Sequence, residues 1–340
     1  MNLPEKSHYI PRFILSNFTD QDGQLHCYAM RSRKRYQCTP EKAGRQGNLY
    51  RLGTENGDPY ALEQAYAEAE SVAAPIIREI VRTSALPENP KERDALALFV
   101  VDSAFRVPIS KDKNEWMAEQ VVLQELAKTF QDQASWQEFR RSQRSKGIDV
   151  PDADQEKYVK LVSDGGLKLK QGEGGIWEFL AVRAPQLALA ELANFSWRLF
   201  TCTGKGNEFI VTSDSPVSVI CLKPLEGGSI YSKSLEPYVV GHWRSATQIS
   251  MAISTAHVLI ANRSGTSRLE TIAAKYELAY LNTAHCWYAE TIFSSGEAPQ
   301  FLLPRSPKIS GIANFAKKAE QARLQTNLSV RVPGMSNSSE

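Results

Sequence analysis

The chain has 340 residues, 42% hydrophobic and 23% charged, with a net charge of +2. That is an ordinary globular composition, long enough to bury a large core in one large domain or two intimate ones. No run of about eighteen apolar residues is present, which excludes a helical membrane span, and His8, Arg12 and Asn17 interrupt any apolar signal core, so the expected location is cytoplasmic.

Residues 10–18 predict a short amphipathic helix. Pro11 suits the first turn, where its missing N–H costs nothing, and Ile10, Phe13, Ile14 and Phe18 fall on one face. His8 and Arg12, four apart, are expected to share another. After a turn at Gly23, Gln24–Met30 and Tyr36–Thr39 predict a hairpin whose tip carries Arg31, Arg33, Lys34 and Arg35. A third strand is expected at Asn48–Leu52. Tyr60–Thr83 has helical periodicity, with Leu62, Ala65, Ala69, Ala73, Ile76 and Ile80 on one face and Glu70 at or near it. A second helix is expected over Lys91–Arg106, stopping before Pro108, and a third over Lys111–Arg144.

Residues 145–175 hold one helical fragment, Tyr158–Val162. It is followed by the glycine-rich DGGLKLKQGEGG, a connector or a lid. Ile176–Asn194 predicts a helix. Trp197–Thr203 and Glu208–Thr212 predict a strand pair around TGKGN. Strands are also expected at Val217–Leu222, Gln248–Ile253, Val258–Ala261 and Cys286–Ala289, with a helix over Ser267–Asn282. The tail, 326–340, is expected to be disordered.

Strands, then helices, then strands again predict an α+β fold. It would combine an N-terminal helix and hairpin (1–58), a central helical bundle (59–165) and a C-terminal antiparallel or mixed sheet with helices (176–295), all within one domain, 1–325.

Charge is uneven. Residues 1–51 have nine Lys/Arg against four Asp/Glu, and residues 301–340 have six against two. If these ends meet, they form a basic surface suited to nucleic acid or a phosphate-bearing ligand, or else plain solvated charge. The phosphate-loop, dinucleotide, HExxH, G-x-S-x-G and EF-hand signatures are absent, so no nucleotide cofactor is indicated. The five cysteines lack a CxxC and are expected to be reduced thiols. His26–Cys27 and His285–Cys286 with Cys38 make a weak zinc set, because strand neighbours point to opposite faces.

Four polar residues stand out. His8 suits proton transfer or metal ligation, or a backbone bond at a helix start. Glu70 on an apolar face requires a cation, a donor or a metal. Arg106 suits a bidentate grip on carboxylate or phosphate, or a local pair with Asp102. Asp214, in FIVTSDSP beside Ser213, suits either a turn that bonds its own backbone or a catalytic carboxylate at a strand end.

These residues also carry a resemblance. HYIPRFILSNF, LEQAYAEAESVAAPIIREI, FRVP and FIVTSDSP follow one another as in the bacterial domain-of-unknown-function family 4238. The matching positions are His8, Tyr9, Pro11, Leu15 and Phe18; Glu70; Arg106 and Pro108; and Ser213, Asp214 and Pro216. Asp102 departs from the pattern, where a glutamine is expected. The resemblance spans roughly residues 8 to 290 and implies a bacterial protein, but no activity. It marks His8, Glu70, Arg106 and Asp214 as a recurring set.

Gathered in one pocket, that set would suit a phosphoesterase or nuclease-like hydrolase acting on nucleic acid or nucleotide. His8 would be the acid or base, Glu70 and Asp214 would hold Mg²⁺ or Mn²⁺, and Arg106 would hold phosphate. Tyr9, Arg12, Ser213 and the hairpin residues Arg31, Arg33, Lys34 and Arg35 would assist binding. The alternatives are a non-catalytic nucleic-acid-binding module, and an interaction protein in which the four residues form a structural network.

Overall fold

A computed structural model describes residues 6–51, 58–112, 123, 126–128, 130–163, 176–203, 208–224, 230–237, 239–263, 274–303, 308–323 and 330–332. The fold is α+β, and its sheets are antiparallel. The largest has six strands in the order Val330–Val332, Ile230–Leu235, Val217–Pro224, Gln248–Ser254, His257–Arg263, Phe195–Thr201. Every residue of Gln248–Ser254 is buried. Ser250 on one face meets His285 of the Ala274–His285 helix. Ile249, Met251 and Ile253 on the other face join the main core, to which the helices Ala61–Thr83 and Pro90–Phe105 also contribute. The strand's polar residues are buried too, and each has a partner: Gln248 with Asn262, Ser250 with His285 and Ser254 with His257.

A second sheet of four strands runs Lys34–Cys38, Leu25–Ala29, Thr291–Ser294, Thr212–Ser213. It joins the N-terminal hairpin to the end of the chain's sheet-rich half. A two-stranded pair, Lys6–His8 with Arg45–Gly47, sets His8 opposite Arg45. Gly44, at φ +58°, supplies the turn into that pair. A side chain there would be strained by φ and would press to 3.1 Å on Ile10.

The helices have recognisable ends. The Asn89 side chain caps Pro90–Phe105 by accepting from the Lys91 N–H, and Pro90 fills the first turn. The Ala61–Thr83 helix stops at Ser84, which adopts a left-handed conformation.

The structure departs from the sequence reading at several points. Phe195–Thr201 pairs with His257–Arg263, not with 208–212. Instead, Thr212–Ser213 pairs with Thr291–Ser294. The third N-terminal strand is Arg45–Gly47, before the expected position. The long third helix is interrupted: Asp132 caps a fresh start by accepting from Ser135, and Gln133–Ser145 follows. That segment folds back on itself, with Leu123, Phe130, Trp136, Val150 and Val162 forming a small cluster of their own. Cys286–Ala289 is a turn leading into Thr291–Ser294. Val330–Val332, expected in a disordered tail, pairs with Ile230–Ser232. The glycine-rich segment 164–175 lies outside the described residues. Among the described residues, no helix is long and apolar enough to cross a membrane.

Candidate functional site

His8, Arg12 and Glu70 line one cavity of about 800 Å³, together with Ser7, Arg45, Glu41, Glu63, Tyr50, Tyr66 and Ala67. Several segments build it. The Lys6–His8 strand brings His8, its partner strand brings Arg45, and the outer turns of the Ala61–Thr83 helix bring Glu63, Tyr66 and Glu70. His8 and Arg12 do not share a helix face, since His8 ends a strand and Arg12 begins the helix Arg12–Leu15. They meet at the cavity all the same.

His8 is half-buried, and its Nε2 is buried without a hydrogen-bond partner. Burial lowers its pKa, and the charges of Arg12 and Arg45 add to that. Backbone carbonyls at Glu41 and Pro40 pull the other way without prevailing. The lowered value favours a neutral ring, whose residue lines the cavity while Nε2 itself is covered.

Arg106 stands behind the wall. Its side chain is 1% exposed. Nη1 donates to Glu70 Oε1 and Nε to the Tyr9 carbonyl, at 2.7 Å each. The guanidinium carbon lies 5.7 Å from the centroid of the Tyr66 ring. The buried Tyr50 hydroxyl donates to the Arg106 carbonyl at 2.8 Å, and Tyr50 meets Tyr66 edge-on. Arg106 Nη2 is buried and unpartnered. Glu70 therefore has the cation its position demanded, and Arg106 makes its ion pair with Glu70 and not with the local Asp102. Asp102 instead stays largely shielded, and burial raises its carboxyl to about 6 against the opposing pull of Arg106.

Asp214 does not line this cavity. Its two carboxylate oxygens accept the backbone N–H groups of Glu290 and Thr291, at 2.9 Å each, and its own N–H donates to the Thr291 carbonyl. Ser213 is buried; its Oγ lies 2.7 Å from the His285 carbonyl oxygen and accepts from the Ser215 N–H. Both residues tie the Ser213–Ser215 turn to its neighbours. Glu70 and Asp214 thus meet different partners and do not form one ligand pair. Among the described residues, no group of three or more His, Cys, Asp or Glu side chains is placed to hold a metal ion.

Tyr9 joins the two places. Its N–H donates to the Gly44 carbonyl, and its own carbonyl receives Arg106. Burial, then the nearby Asp214, Tyr36 and Glu290, push its phenol pKa well up. At the hairpin, Arg33 pairs with Glu320 at 2.9 Å, and Arg35 lies 3.9 Å from Glu297. Arg31 and Lys34 are exposed. The basic tip thus meets the C-terminal helix Ile312–Arg323 through an acidic partner.

The family model described as protein of unknown function (DUF4238) matches residues 6–292. The chain belongs to this family. Comparison with curated proteins and with solved structures gives no match. Within this DUF4238 chain, Arg45, Tyr50 and Tyr66 are among the cavity residues that sequence reasoning missed, with Ser7, Glu41, Glu63 and Ala67. Tyr66 shares the apolar periodicity of its helix and could have been found. Arg45 stands in a strand of three exposed residues with no alternation to betray it.

Proposed function

We propose that this DUF4238 protein is a hydrolase of phosphate esters, acting on a nucleotide or nucleic acid bound in the His8 cavity. One observation carries the reading: a histidine with a lowered pKa and a buried, unpartnered Nε2 stands in the wall of a cavity that Arg12 and Arg45 also line. An unpaired polar atom in a buried setting costs free energy unless a ligand or water satisfies it. The His8 Nε2 would take a proton from an attacking water. Arg12 and Arg45 would hold the phosphoryl oxygens and stabilise charge that develops on them. Arg106 contributes indirectly, by fixing Glu70 and the Tyr9 backbone.

The arginines, and not a Glu70–Asp214 metal pair, carry the anion binding in this reading. Dependence on Mg²⁺ or Mn²⁺ is an empirical arm of the test. Purified wild type, His8→Gln and the double variant Arg12→Ala/Arg45→Ala would be incubated with labelled RNA, single-stranded DNA, duplex DNA and a chromogenic phosphodiester. Each would be run with Mg²⁺, with Mn²⁺ and with EDTA. Cleavage by wild type that is lost in His8→Gln supports the proposal, and the double variant should raise KM. Equal cleavage by wild type and His8→Gln, or no cleavage of any substrate by wild type, overturns it.

A further inference from the structure

The N-terminal hairpin holds a second chemical feature, separate from the His8 cavity. Cys27 lies in Leu25–Ala29 and Cys38 ends Lys34–Cys38. The register sets Leu25 opposite Cys38 and Cys27 opposite Tyr36. Cys27 and Cys38 are therefore diagonal neighbours on one face of the hairpin. Their sulfurs are 3.3 Å apart, and both thiols are free. Cys27 is 3% exposed, whereas Cys38 is only half-buried. Two sulfurs in contact, one reachable and one sheltered, match the arrangement of an attacking and a resolving thiol.

We propose that Cys27 and Cys38 form a peroxide-reactive dithiol that closes to an intramolecular disulfide. Cys38 is the attacking sulfur. Its thiolate displaces hydroxide from a hydroperoxide, the O–O bond breaks, and Cys38 becomes a sulfenic acid. The Cys27 sulfur then attacks the Cys38 sulfur, the S–O bond breaks, and water leaves with the Cys27 proton. Two thiols are oxidised by two electrons, and one peroxide is reduced to two waters. The sulfurs move from 3.3 Å to a bond of about 2.05 Å, and for a diagonal pair this draws the two strands together where Cys38 ends its strand.

The electrostatics point the same way. The Cys27 S–H and then the nearby Lys42 favour the Cys38 thiolate, while the contact with Cys38 and then burial keep Cys27 protonated. Cys202, Cys221 and Cys286 lie elsewhere in the chain: Cys202 just after Phe195–Thr201, Cys221 within Val217–Pro224 and Cys286 after the Ala274–His285 helix.

The test is intact-mass and peptide analysis of the full chain after a dose of hydrogen peroxide that fully oxidises free glutathione. The expected product is two hydrogens lighter and contains a Cys27–Cys38 cross-linked peptide. The number of free thiols in denaturant falls by two from the five of the untreated chain, and dithiothreitol restores them. Cys27→Ser should stop at a sulfenic acid on Cys38 that a 1,3-dione reagent captures, and Cys38→Ser should leave Cys27 unmodified at the same dose. Wild type that keeps both thiols alkylatable overturns the proposal. So does a disulfide to another cysteine or between two chains, or a sulfenic acid on Cys27 in the Cys38→Ser chain. The wild-type peptide map decides the pairing even where a variant fails to fold.

Discussion

Glu70 and Asp214 are both carboxylates in polar settings, but they are satisfied in opposite ways. Glu70 is answered by a charge, the Arg106 guanidinium, which is itself buried and also holds the Tyr9 carbonyl. Asp214 is answered by two backbone N–H groups at the start of a strand, those of Glu290 and Thr291. The first arrangement is a support behind a cavity. The second is a local clamp between two segments of a sheet. A carboxylate paired with an arginine leaves open what lies on its other side, and here that side is the cavity. A carboxylate with both oxygens on backbone donors has its geometry taken up by the fold.

The sharpest break of this contrast is Arg106→Met. It removes the buried partner of Glu70 and leaves the Tyr9 carbonyl without its donor. Loss of one partner of a buried pair costs about 3 kcal/mol or more, so urea denaturation should show a large fall in stability. A change under about 1 kcal/mol would mean that Glu70 is served by solvent and that Arg106 is no support.

Asp102 tests the same guanidinium from the other side. Its carboxyl is raised to about 6, chiefly by burial. A raised carboxyl favours the protonated form in the folded state. Its contribution is therefore complete below the ordinary value near 4 and is lost as pH rises through about 6. Asp102→Asn should be more stable than wild type at pH 7.5, by on the order of 2 kcal/mol, and the gain should vanish near pH 4. His285 acts with the opposite sign. Burial lowers it to about 3, so its contribution is present above about 6.5 and is lost as pH falls towards 3. Thermal melts of wild type and Asp102→Asn across pH 3 to 8 separate the two. The acid limb from His285 should persist in the variant, and the slope between pH 4 and 6 should change.

Asp214→Asn is expected to cost less. Asparagine keeps one acceptor oxygen and loses one charge-assisted bond, worth about 1–2 kcal/mol. It should not alter ligand binding in the His8 cavity. A binding defect without a stability loss would place Asp214 in the site after all.

Legibility in the sequence followed packing. Ala61–Thr83 and Pro90–Phe105 sit close to the predicted ends because one face of each meets the core and Asn89–Pro90 marks a start. Gln248–Ser254 was legible as a strand, with Ile249, Met251 and Ile253 at every second residue. Strand partners were not: nothing local in FSWRLFT says that it pairs with His257–Arg263 and not with the nearer 208–212 segment. The same holds for the site. Glu70 on an apolar face demanded a partner, and Arg106 proved to be it. Arg45 reaches the cavity through a three-residue strand whose pairing depends on Gly44 and the Lys6–His8 edge, and periodicity carries no trace of that. Asp214 looked alike in either role, because a turn aspartate and a catalytic one share the same neighbours in sequence.

The smallest effect on stability should come from His8, and that is what makes it informative. Its Nε2 has no partner to lose, so His8→Gln should shift stability by no more than about 0.5–1 kcal/mol. If the cavity works as proposed, the same change abolishes hydrolysis. The pH profile adds a second constraint. His8 is lowered from the ordinary value of 6.5, so the base form persists into mild acid. The acid limb of kcat/KM should then have its midpoint below 6.5, and Arg12→Ala or Arg45→Ala should move that midpoint upward by removing a nearby positive charge. A midpoint that stays fixed in both variants would separate the titrating group from His8 and return the cavity to a purely structural role.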